Sequence, residues 1–305
     1  MTNIGLYFSI GIIVIGLLAI LRYSLKGKDI DRRIIFLFMF ITVASSLLFK
    51  MEFPEKPTLI VKKVFNKIEN LPEGSRILIS FDFDPAMKPE VMPMANAFVR
   101  HCMVKKHKLY IMTLWATGQA LMLESIEEVL KPEFPDAVYG EDYTSLGFKA
   151  GGVGVLNVII TDFRKMYATD EHGTPLDEIP LFAEVTSAKD MDLILPIGGG
   201  APGPKEWILF VGDPGKVPIA PGLAAVVAPL IYPYYPKQAI GLLGGVKGAA
   251  EYESELLRNY DQFKDMDTPA LSMMGPQTMA HIVIIAFIII GNITYFRKRR
   301  MNDNA

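Results

Sequence analysis

The sequence predicts a three-layer α/β domain with a mostly parallel sheet, joined to three transmembrane helices. Two observations support this fold class. Short apolar runs of strand length alternate with helical segments through the middle of the chain, and three longer apolar runs flank that region. Half of the 305 residues are apolar and the mean hydropathy is +0.28, so part of the chain is expected to lie in a membrane.

The predicted membrane spans are residues 4–21, 34–49 and 279–296. An α-helix rises ~1.5 Å per residue and the hydrocarbon core of a bilayer is ~30 Å thick, so runs of this length approach a full crossing. Gly291 and Asn292 lie inside the third span. A small residue beside an amide is common where membrane helices contact each other.

Basic residues predict the orientation of these spans. Those between the first two spans are Arg22, Lys26, Lys28, Arg32 and Arg33, and the basic run 297–300 follows the third span. Because Lys and Arg favour cytoplasmic loops, both basic segments are expected in the cytoplasm. The chain is then a transmembrane hairpin with a basic cytoplasmic loop (1–50), an extracytoplasmic α/β domain (51–278), and a C-terminal span with a basic cytoplasmic tail (279–305).

Two alternatives are open for this topology. The first apolar run could be a cleavable export signal, although no basic region precedes it and no small-residue cleavage site follows it. One of the weaker spans could instead be a buried or interfacial helix. In that case the middle domain would lie on the other side of the membrane.

The middle domain shows the alternation of a parallel sheet with helices on both faces. Strands are predicted at 76–83, 108–115 and 191–197, with weaker signals within 137–148 and at 217–220. Helices are predicted at 59–70, 94–106, 118–130, 151–167 and 237–257, with a further one starting near Pro204. This order predicts a Rossmann-like three-layer architecture.

Charge and composition exclude some functions. Residues 51–278 carry 21 basic and 30 acidic side chains, a net charge of -9, which argues against nucleic-acid binding. A single cysteine, Cys102, excludes an internal disulfide framework and a cysteine-based metal cage. The four histidines, at 101, 107, 172 and 281, lack metal-binding spacing, so surface, capping or interfacial roles are expected.

Candidate ligand-binding residues follow the predicted strands or lie in nearby loops. In open parallel sheets, ligands bind beyond the carboxyl ends of the strands, where helix amino termini offer free N–H groups. The candidates are Thr113, Trp115, Tyr139, Tyr143, Gly198, Gly199, Gly200 and Lys205. The three glycines have an alternative explanation, because a tight strand-to-helix turn also requires residues without side chains.

Asp82 and Asp84 end the first strand and project to the same side of an extended chain, as a divalent-metal or nucleophile–acid pair would. With Thr113, Lys205 and Asp213 they resemble the motif order of haloacid-dehalogenase-type phosphotransferases. That resemblance implies a Mg²⁺-dependent hydrolase or phosphotransferase. It covers five positions, and Pro85 and Ala86 depart from the family pattern. Alternatively, both carboxylates cap the following helix or a turn.

A second group of candidates is expected to contact a protein partner. Tyrosine and proline form rigid, amphipathic contact surfaces, and small residues at helical spacing allow close packing. The candidates are Tyr232, Tyr234, Tyr235, Gly241, Gly244, Gly245 and Gly248. The open alternative for the tyrosines is packing over the apolar segment 219–231 near the membrane surface.

The sequence therefore predicts a membrane-anchored extracytoplasmic α/β domain that binds a ligand or a protein partner as a subunit of a membrane complex. A homo-oligomer would satisfy the same expectation. The alternative is the membrane-bound metal-dependent enzyme that uses Asp82 and Asp84. No reaction or ligand follows from the sequence, and cofactors remain open apart from Mg²⁺ in the alternative.

Overall fold

The structure is a computed structural model that describes residues 3–26, 30–49 and 55–303. Lys28 of the predicted cytoplasmic loop lies outside the described residues. The chain divides into two compact units. One is an α/β unit, Glu55–Leu271, and the other is a helical unit formed by Met1–Pro54 and Ser272–Ala305.

The α/β unit is built on a six-stranded sheet in which every pair of neighbouring strands is parallel. The strands are β1 (Arg76–Asp82), β2 (Lys108–Thr113), β3 (Tyr143–Phe148), β4 (Leu193–Gly198), β5 (Gly222–Leu223) and β6 (Leu243–Gly244). Their order in the sheet is β3-β2-β1-β4-β5-β6. This is the order of doubly wound nucleotide-binding folds, so the predicted Rossmann-like sheet is confirmed.

Helices flank the sheet and connect its strands. The helices are α1 (Asn3–Leu25), α2 (Arg32–Leu48), α3 (Leu59–Asn70), α4 (Lys88–Val104), α5 (Gly118–Ser125), α6 (Val153–Ile159), α7 (Pro204–Trp207), α8 (Gly245–Asn259) and α9 (Pro269–Asp303). Wider π-type turns extend α5 over Ile126–Leu130 and α7 over Ile208–Gly212. Single helical turns at Lys131–Glu133, Asp213–Gly215 and Ala228–Ile231 are not numbered.

The helix predicted over 237–257 begins later than expected. Gly245 has a positive φ of 61° and marks the start of α8, and residues 243–244 form β6 instead of helix. A left-handed φ is accessible to glycine without strain, so this residue lets the chain turn from strand into helix. The helix predicted over 151–167 is likewise shorter, because regular helix stops at Ile159.

Carboxylates of α8 bind both ends of the α/β unit. Glu251 accepts hydrogen bonds from the Thr58 backbone N–H (2.8 Å) and hydroxyl (2.7 Å), just before α3. Glu253 accepts from the backbone N–H groups of Ala270 (3.4 Å) and Leu271 (3.0 Å) in the first turn of α9. Residues two apart on a helix point in roughly opposite directions, so α8 lies between the two terminal segments of the unit.

Three membrane spans were predicted, but the lengths of the helices support only one of them. Among the described residues, only Pro269–Arg297 of α9 is both long and apolar enough to cross a membrane. α2 has 17 residues, which at ~1.5 Å per residue falls short of a ~30 Å hydrocarbon core. The part of α1 whose side chains are described, Ile13–Leu25, is also too short.

Candidate functional site

Asp82 lies at the carboxyl edge of the sheet, as predicted, where it is the last residue of β1 and is fully buried. Its side chain has no solvent exposure, and both carboxylate oxygens are already hydrogen bonded. Oδ1 accepts from the Ser80 hydroxyl (2.7 Å) and the Leu114 backbone N–H (2.8 Å). Oδ2 accepts from the Trp207 indole N–H (2.7 Å). Asp82 therefore joins β1, the end of β2 and α7 inside the core.

Burial raises the pKa of Asp82 from 3.8 to about 7, because the charged form loses hydration that three hydrogen bonds only partly replace. A raised pKa is common at active sites. Here, however, the carboxyl group has no access to solvent and no free direction toward a substrate. The arrangement accounts for Asp82 as a structural connection between strands and helix.

Asp84 has a different position from Asp82. It is partly exposed, and its Oδ1 accepts the Met87 backbone N–H (3.1 Å) in the turn before α4. Asp84 therefore stabilises a turn, as one of the two alternatives predicts, and it does not cap α4, which has no side-chain cap. Lys205 is exposed on the first turn of α7, and Asp213 lines a separate cleft with Lys216 and Lys237.

These residues do not fit a Mg²⁺ site. Mg²⁺ requires several oxygen ligands in nearly octahedral geometry. Asp82 uses both oxygens within the core and Asp84 caps a turn. Within the described ranges, no group of three or more His, Cys, Asp or Glu side chains could hold a metal ion.

Thr113, Trp115 and the three glycines do converge at the carboxyl edge, where they pack against one another. The Trp115 indole donates to the Pro202 carbonyl (2.6 Å). A Cβ added at Gly200 would lie 2.6 Å from the Trp115 ring, and one at Gly199 would lie 2.7 Å from a neighbouring methionine sulfur. The glycines therefore make room for side chains of this protein, as the tight-turn alternative expects.

Tyr139 and Tyr143 lie at the opposite end of the sheet from this cluster. Tyr143 is the first residue of β3, and the Tyr139 hydroxyl donates to Asp170 (2.7 Å). With Glu171 and His172, the two tyrosines line a cleft of about 110 Å³. The structure therefore does not bring the predicted ligand-binding residues into one site.

The predicted partner-contact residues also separate into two groups. Three of the glycines are buried against their own unit: a Cβ at Gly241, Gly245 or Gly248 would lie 2.7–2.9 Å from Val64, Ala225 or Leu243 respectively. Gly244 is partly exposed, and its added Cβ would lie 3.2 Å from a neighbouring alanine. Internal packing accounts for their small size.

The three tyrosines of the predicted partner surface are more accessible. Tyr232 is 52% exposed, Tyr235 is half-buried beneath the Lys63 ammonium (4.9 Å from the ring centre), and Tyr234 packs partly against the core. Their role as a contact surface stays a prediction.

A buried polar network around His101 was not predicted from the sequence. His101 was expected at the surface or as a cap, but it is fully buried between α3 and α8. Its Nε2 lies 2.9 Å from Glu69 and its Nδ1 lies 2.6 Å from the Tyr252 hydroxyl. The hydrogen bond from His101 is the largest cause that lowers the pKa of Glu69 from 4.5 to about 2.

Burial lowers the pKa of His101, so the neutral imidazole is favoured. Its partner Tyr252 is also fully buried, and burial raises the pKa of the phenol. His107 is buried as well, with Nε2 3.1 Å from the Ile68 carbonyl. The local signal for the burial of His101 is its position among the apolar residues of α4, where Phe98, Cys102 and Met103 are also buried.

The most prominent clefts lie away from the carboxyl edge of the sheet. One of about 580 Å³ is lined by Gly74, His107, Phe134 and Asp142 at the amino end of the strands, and one of about 530 Å³ lies beside Arg100. None of the four most prominent clefts in the described part of the chain is lined by Asp82, Thr113 or the three glycines.

The parallel sheet and its flanking helices form a Rossmann-like α/β fold, and one helix of the described residues is long and apolar enough to cross a membrane. No protein-family model matches the chain, and the searches of curated proteins and of solved structures found no significant match.

Proposed function

We propose that the chain is a three-span integral membrane protein whose extracytoplasmic α/β unit binds a ligand or protein partner as a subunit of a membrane complex. The observation that supports the spans is the exposure of large apolar side chains on the helical unit. Many large apolar side chains point outward from its helices, including Phe36 (70% exposed), Phe40 (70%) and Leu48 (80%). Water would disfavour such a surface, whereas a bilayer would favour it.

The interior of the helical unit supports the same proposal. Thr42 and Ser46 are fully buried, and the Ser24 hydroxyl lies 2.8 Å from that of Thr294, joining α1 to α9. Small hydroxyl residues are typical of contacts between membrane helices. The Phe38 ring meets the Phe287 ring edge-on at 5.8 Å, so α2 also contacts α9. Close packing of three helices could allow the short α2 to cross a locally thinned bilayer.

A protein partner is supported by the outer face of α9. Asn292 is exposed there, and no hydrogen bond to its side-chain amide is formed within the described residues. Nothing lies within 4 Å of a Cβ built at the neighbouring Gly291. An amide facing lipid is unfavourable unless it is paired, and a partner helix could pair it while approaching closely at the glycine.

We favour binding over catalysis because the carboxyl edge of the sheet is filled by side chains of the protein itself. Asp82 is sealed in the core, and Trp115 fills the space beside Gly200. The metal-dependent enzyme drawn around Asp82 and Asp84 has no supporting observation in this geometry. We therefore assign contacts of the complex to surfaces of the unit and of α9.

The proposal is tested by purifying the full chain from its native membrane in mild detergent and identifying co-purifying proteins by mass spectrometry. The wild type is compared with Asn292→Leu and with the matched control Ile289→Leu, which changes another exposed position of α9. We expect a stoichiometric protein that the control retains and Asn292→Leu loses by at least about fivefold, which corresponds to ~1 kcal/mol.

A chain that purifies alone under all conditions, after crosslinking in the membrane as well, would contradict the complex. Metal-dependent turnover by the wild type that Asp82→Asn abolishes would restore the enzyme alternative.

A further inference from the structure

Two clefts of the α/β unit adjoin each other. Their volumes are about 580 and 530 Å³, which is the size of sites that hold small ligands, and Glu133 and Gln262 line both of them. Every lining residue falls within Glu55–Leu271, so both clefts belong to one compact unit. We call the pair the double cleft.

The basic side chains that line the double cleft are already ion-paired. Each is paired with a carboxylate that also lines it: Lys106 with Glu73 (3.4 Å), Lys108 with Asp142 (2.8 Å) and Arg100 with Glu133 (2.7 Å). Lysines next to the lining segments in the chain are paired as well, Lys131 with Glu127 and Lys264 with Asp261. These cations therefore leave no unpaired positive charge for an anionic ligand.

Carboxylates, by contrast, are in excess. Four exposed ones line the double cleft without a hydrogen bond or ion pair among the described residues: Glu128, Asp136, Asp265 and Asp267. The lining as a whole has seven acidic and three basic side chains, a net charge of -4. A cleft of one sign concentrates ligands of the opposite sign, so the expected ligand is a cation.

A buried histidine gives independent evidence for a ligand that donates hydrogen bonds. His107 lines the first cleft and is 1% exposed. Its Nε2 lies 3.1 Å from the Ile68 carbonyl, which can only accept, so Nε2 carries the proton of the neutral ring and Nδ1 is an acceptor. Nδ1 is buried without a hydrogen-bond partner in the described part of the chain. A buried acceptor of this kind is costly unless a donor meets it.

The walls between the charged groups favour an organic cation over a metal ion. Phe134 of the first cleft meets Phe263 of the second edge-on, with 6.4 Å between the ring centres. Met103 and Met266 add further apolar surface, one in each cleft. Methylene groups gain by packing on such walls, whereas a hydrated metal ion does not. Within the described residues, no three acidic, His or Cys side chains are placed to hold a metal.

We propose that the double cleft binds an aliphatic polyamine. Its ammonium groups meet the unpaired carboxylates of both clefts, and its methylene chain crosses the pair of phenylalanine rings. An ammonium at the floor of the first cleft donates to Nδ1 of His107. This inference names a ligand class for the α/β unit and rests on the proposed function in that respect, but its argument uses the α/β unit alone.

The test is isothermal titration calorimetry of the full chain with spermidine. The chain is purified in a nonionic detergent, so that no anionic lipid competes for the polyamine. Asp136→Asn and Asp265→Asn each remove one exposed, unpaired carboxylate, one from each cleft. Glu178→Gln is the matched control, because it removes an exposed, unpaired carboxylate that lines neither cleft.

We expect one spermidine per chain with a Kd below about 100 µM. Each aspartate variant should weaken binding at least about threefold and the double variant at least about tenfold, while the control binds as the wild type does. No measurable binding by the wild type would overturn the inference. Equal affinities of the control and the double variant would also overturn it, since spermidine would then bind elsewhere.

A second probe separates a polyamine site from general attraction of positive charge. Hexaamminecobalt(III) carries three positive charges, as spermidine does, but it has no methylene chain. We expect it to bind at least about fivefold more weakly, because it cannot pack on the phenylalanine pair. Equal affinity of the two cations would contradict the site and leave only diffuse electrostatic attraction.

Failure of the proposed function has a separate readout. A chain that binds spermidine in the double cleft but purifies alone from its native membrane would overturn the complex and keep the polyamine site. A chain that retains its protein partner through Asn292 and does not bind spermidine would overturn the polyamine site alone.

Discussion

The two units of the chain differ in what they bury. In the helical unit the buried polar groups are small hydroxyls, such as Thr42 and Ser46, while Phe36 and Leu48 face outward. In the α/β unit the core is apolar around Phe81 and Trp207, and its buried acids Asp82 and Glu253 are hydrogen bonded. The two units therefore direct their large apolar side chains differently: many point outward in the helical unit, and most are buried in the α/β unit.

The comparison shows that apolar content alone does not identify the surroundings of a segment. Residues 219–231 are nearly as apolar as a span, but they fold into the core and one exposed edge of the α/β unit. What distinguishes the helical unit is the direction in which its apolar side chains point. One hydroxyl pair, Ser24 with Thr294, joins α1 to α9 in the helical unit, whereas a buried, hydrogen-bonded carboxylate such as Asp82 joins elements of the α/β unit.

The largest expected effect is at the contact between Asp82 and Trp207. Trp207→Ala removes a fully buried side chain and leaves one carboxylate oxygen unpaired, so we expect a loss of at least about 4 kcal/mol in the free energy of unfolding. Chemical denaturation of the full chain, followed by circular dichroism, measures this loss.

Trp207→Phe is the matched control, because it keeps an aromatic ring in the core while it removes the indole N–H and a smaller part of the side-chain volume than Trp207→Ala does. It should lose about 1–3 kcal/mol. A phenylalanine variant as stable as the wild type would show that the hydrogen bond to Asp82 does not contribute.

The second effect concerns Glu253, whose carboxylate accepts the first backbone N–H groups of α9. Burial is the largest cause that raises its pKa from 4.5 to about 7. The folded state thus binds more protons than the unfolded state between these values. Its contribution to stability is complete below pH 4.5 and is lost as the pH rises through 7.

Glu253→Gln removes this titration. Relative to the wild type, the glutamine variant should gain up to about 3 kcal/mol of stability between pH 4.5 and pH 8. Asp82 titrates in the same direction in both proteins, so it cancels in the comparison. A difference between the two proteins that does not change with pH would show that Glu253 titrates normally in the folded state.

The smallest effect is at the Ser24–Thr294 contact in the helical unit. Ser24→Ala, Thr294→Ala and the double variant form a thermodynamic cycle, measured by unfolding in mixed micelles. Membrane hydrogen bonds of this type average about 0.6 kcal/mol, so we expect a coupling of that size. Additive effects of the two single substitutions would contradict a direct contact between α1 and α9.

Regular elements with strong local patterns were predicted well. The helix predicted over 59–70 is α3, and β1, β2 and β4 agree with the predicted strands to within two residues at each end. Their apolar spacing is dictated by the faces that they bury, so the pattern can be read locally. By contrast, β5 and β6 have two residues each and carry no periodic pattern to read.

The candidate site was harder to predict because its chemistry depends on distant contacts. The sequence correctly placed Asp82 at the end of a buried strand, but the group that occupies its Oδ2 is Trp207, 125 positions away. Similarly, Gly245 reads locally as a small helical residue, yet it serves as a left-handed turn beside Ala225. Pairing over such distances follows from the fold, and single-residue patterns do not report it.

The most direct test of the account is the side of the membrane on which each unit lies. Single cysteines at Asp261, in the α/β unit, and at Lys26, after α1, are exposed positions that an impermeant maleimide can reach from one side only. Labelling of intact cells should modify Asp261→Cys and spare Lys26→Cys until the membrane is permeabilised. Labelling of Lys26→Cys from outside, or of both positions from the same side, would contradict a membrane hairpin that holds the α/β unit outside the cytoplasm.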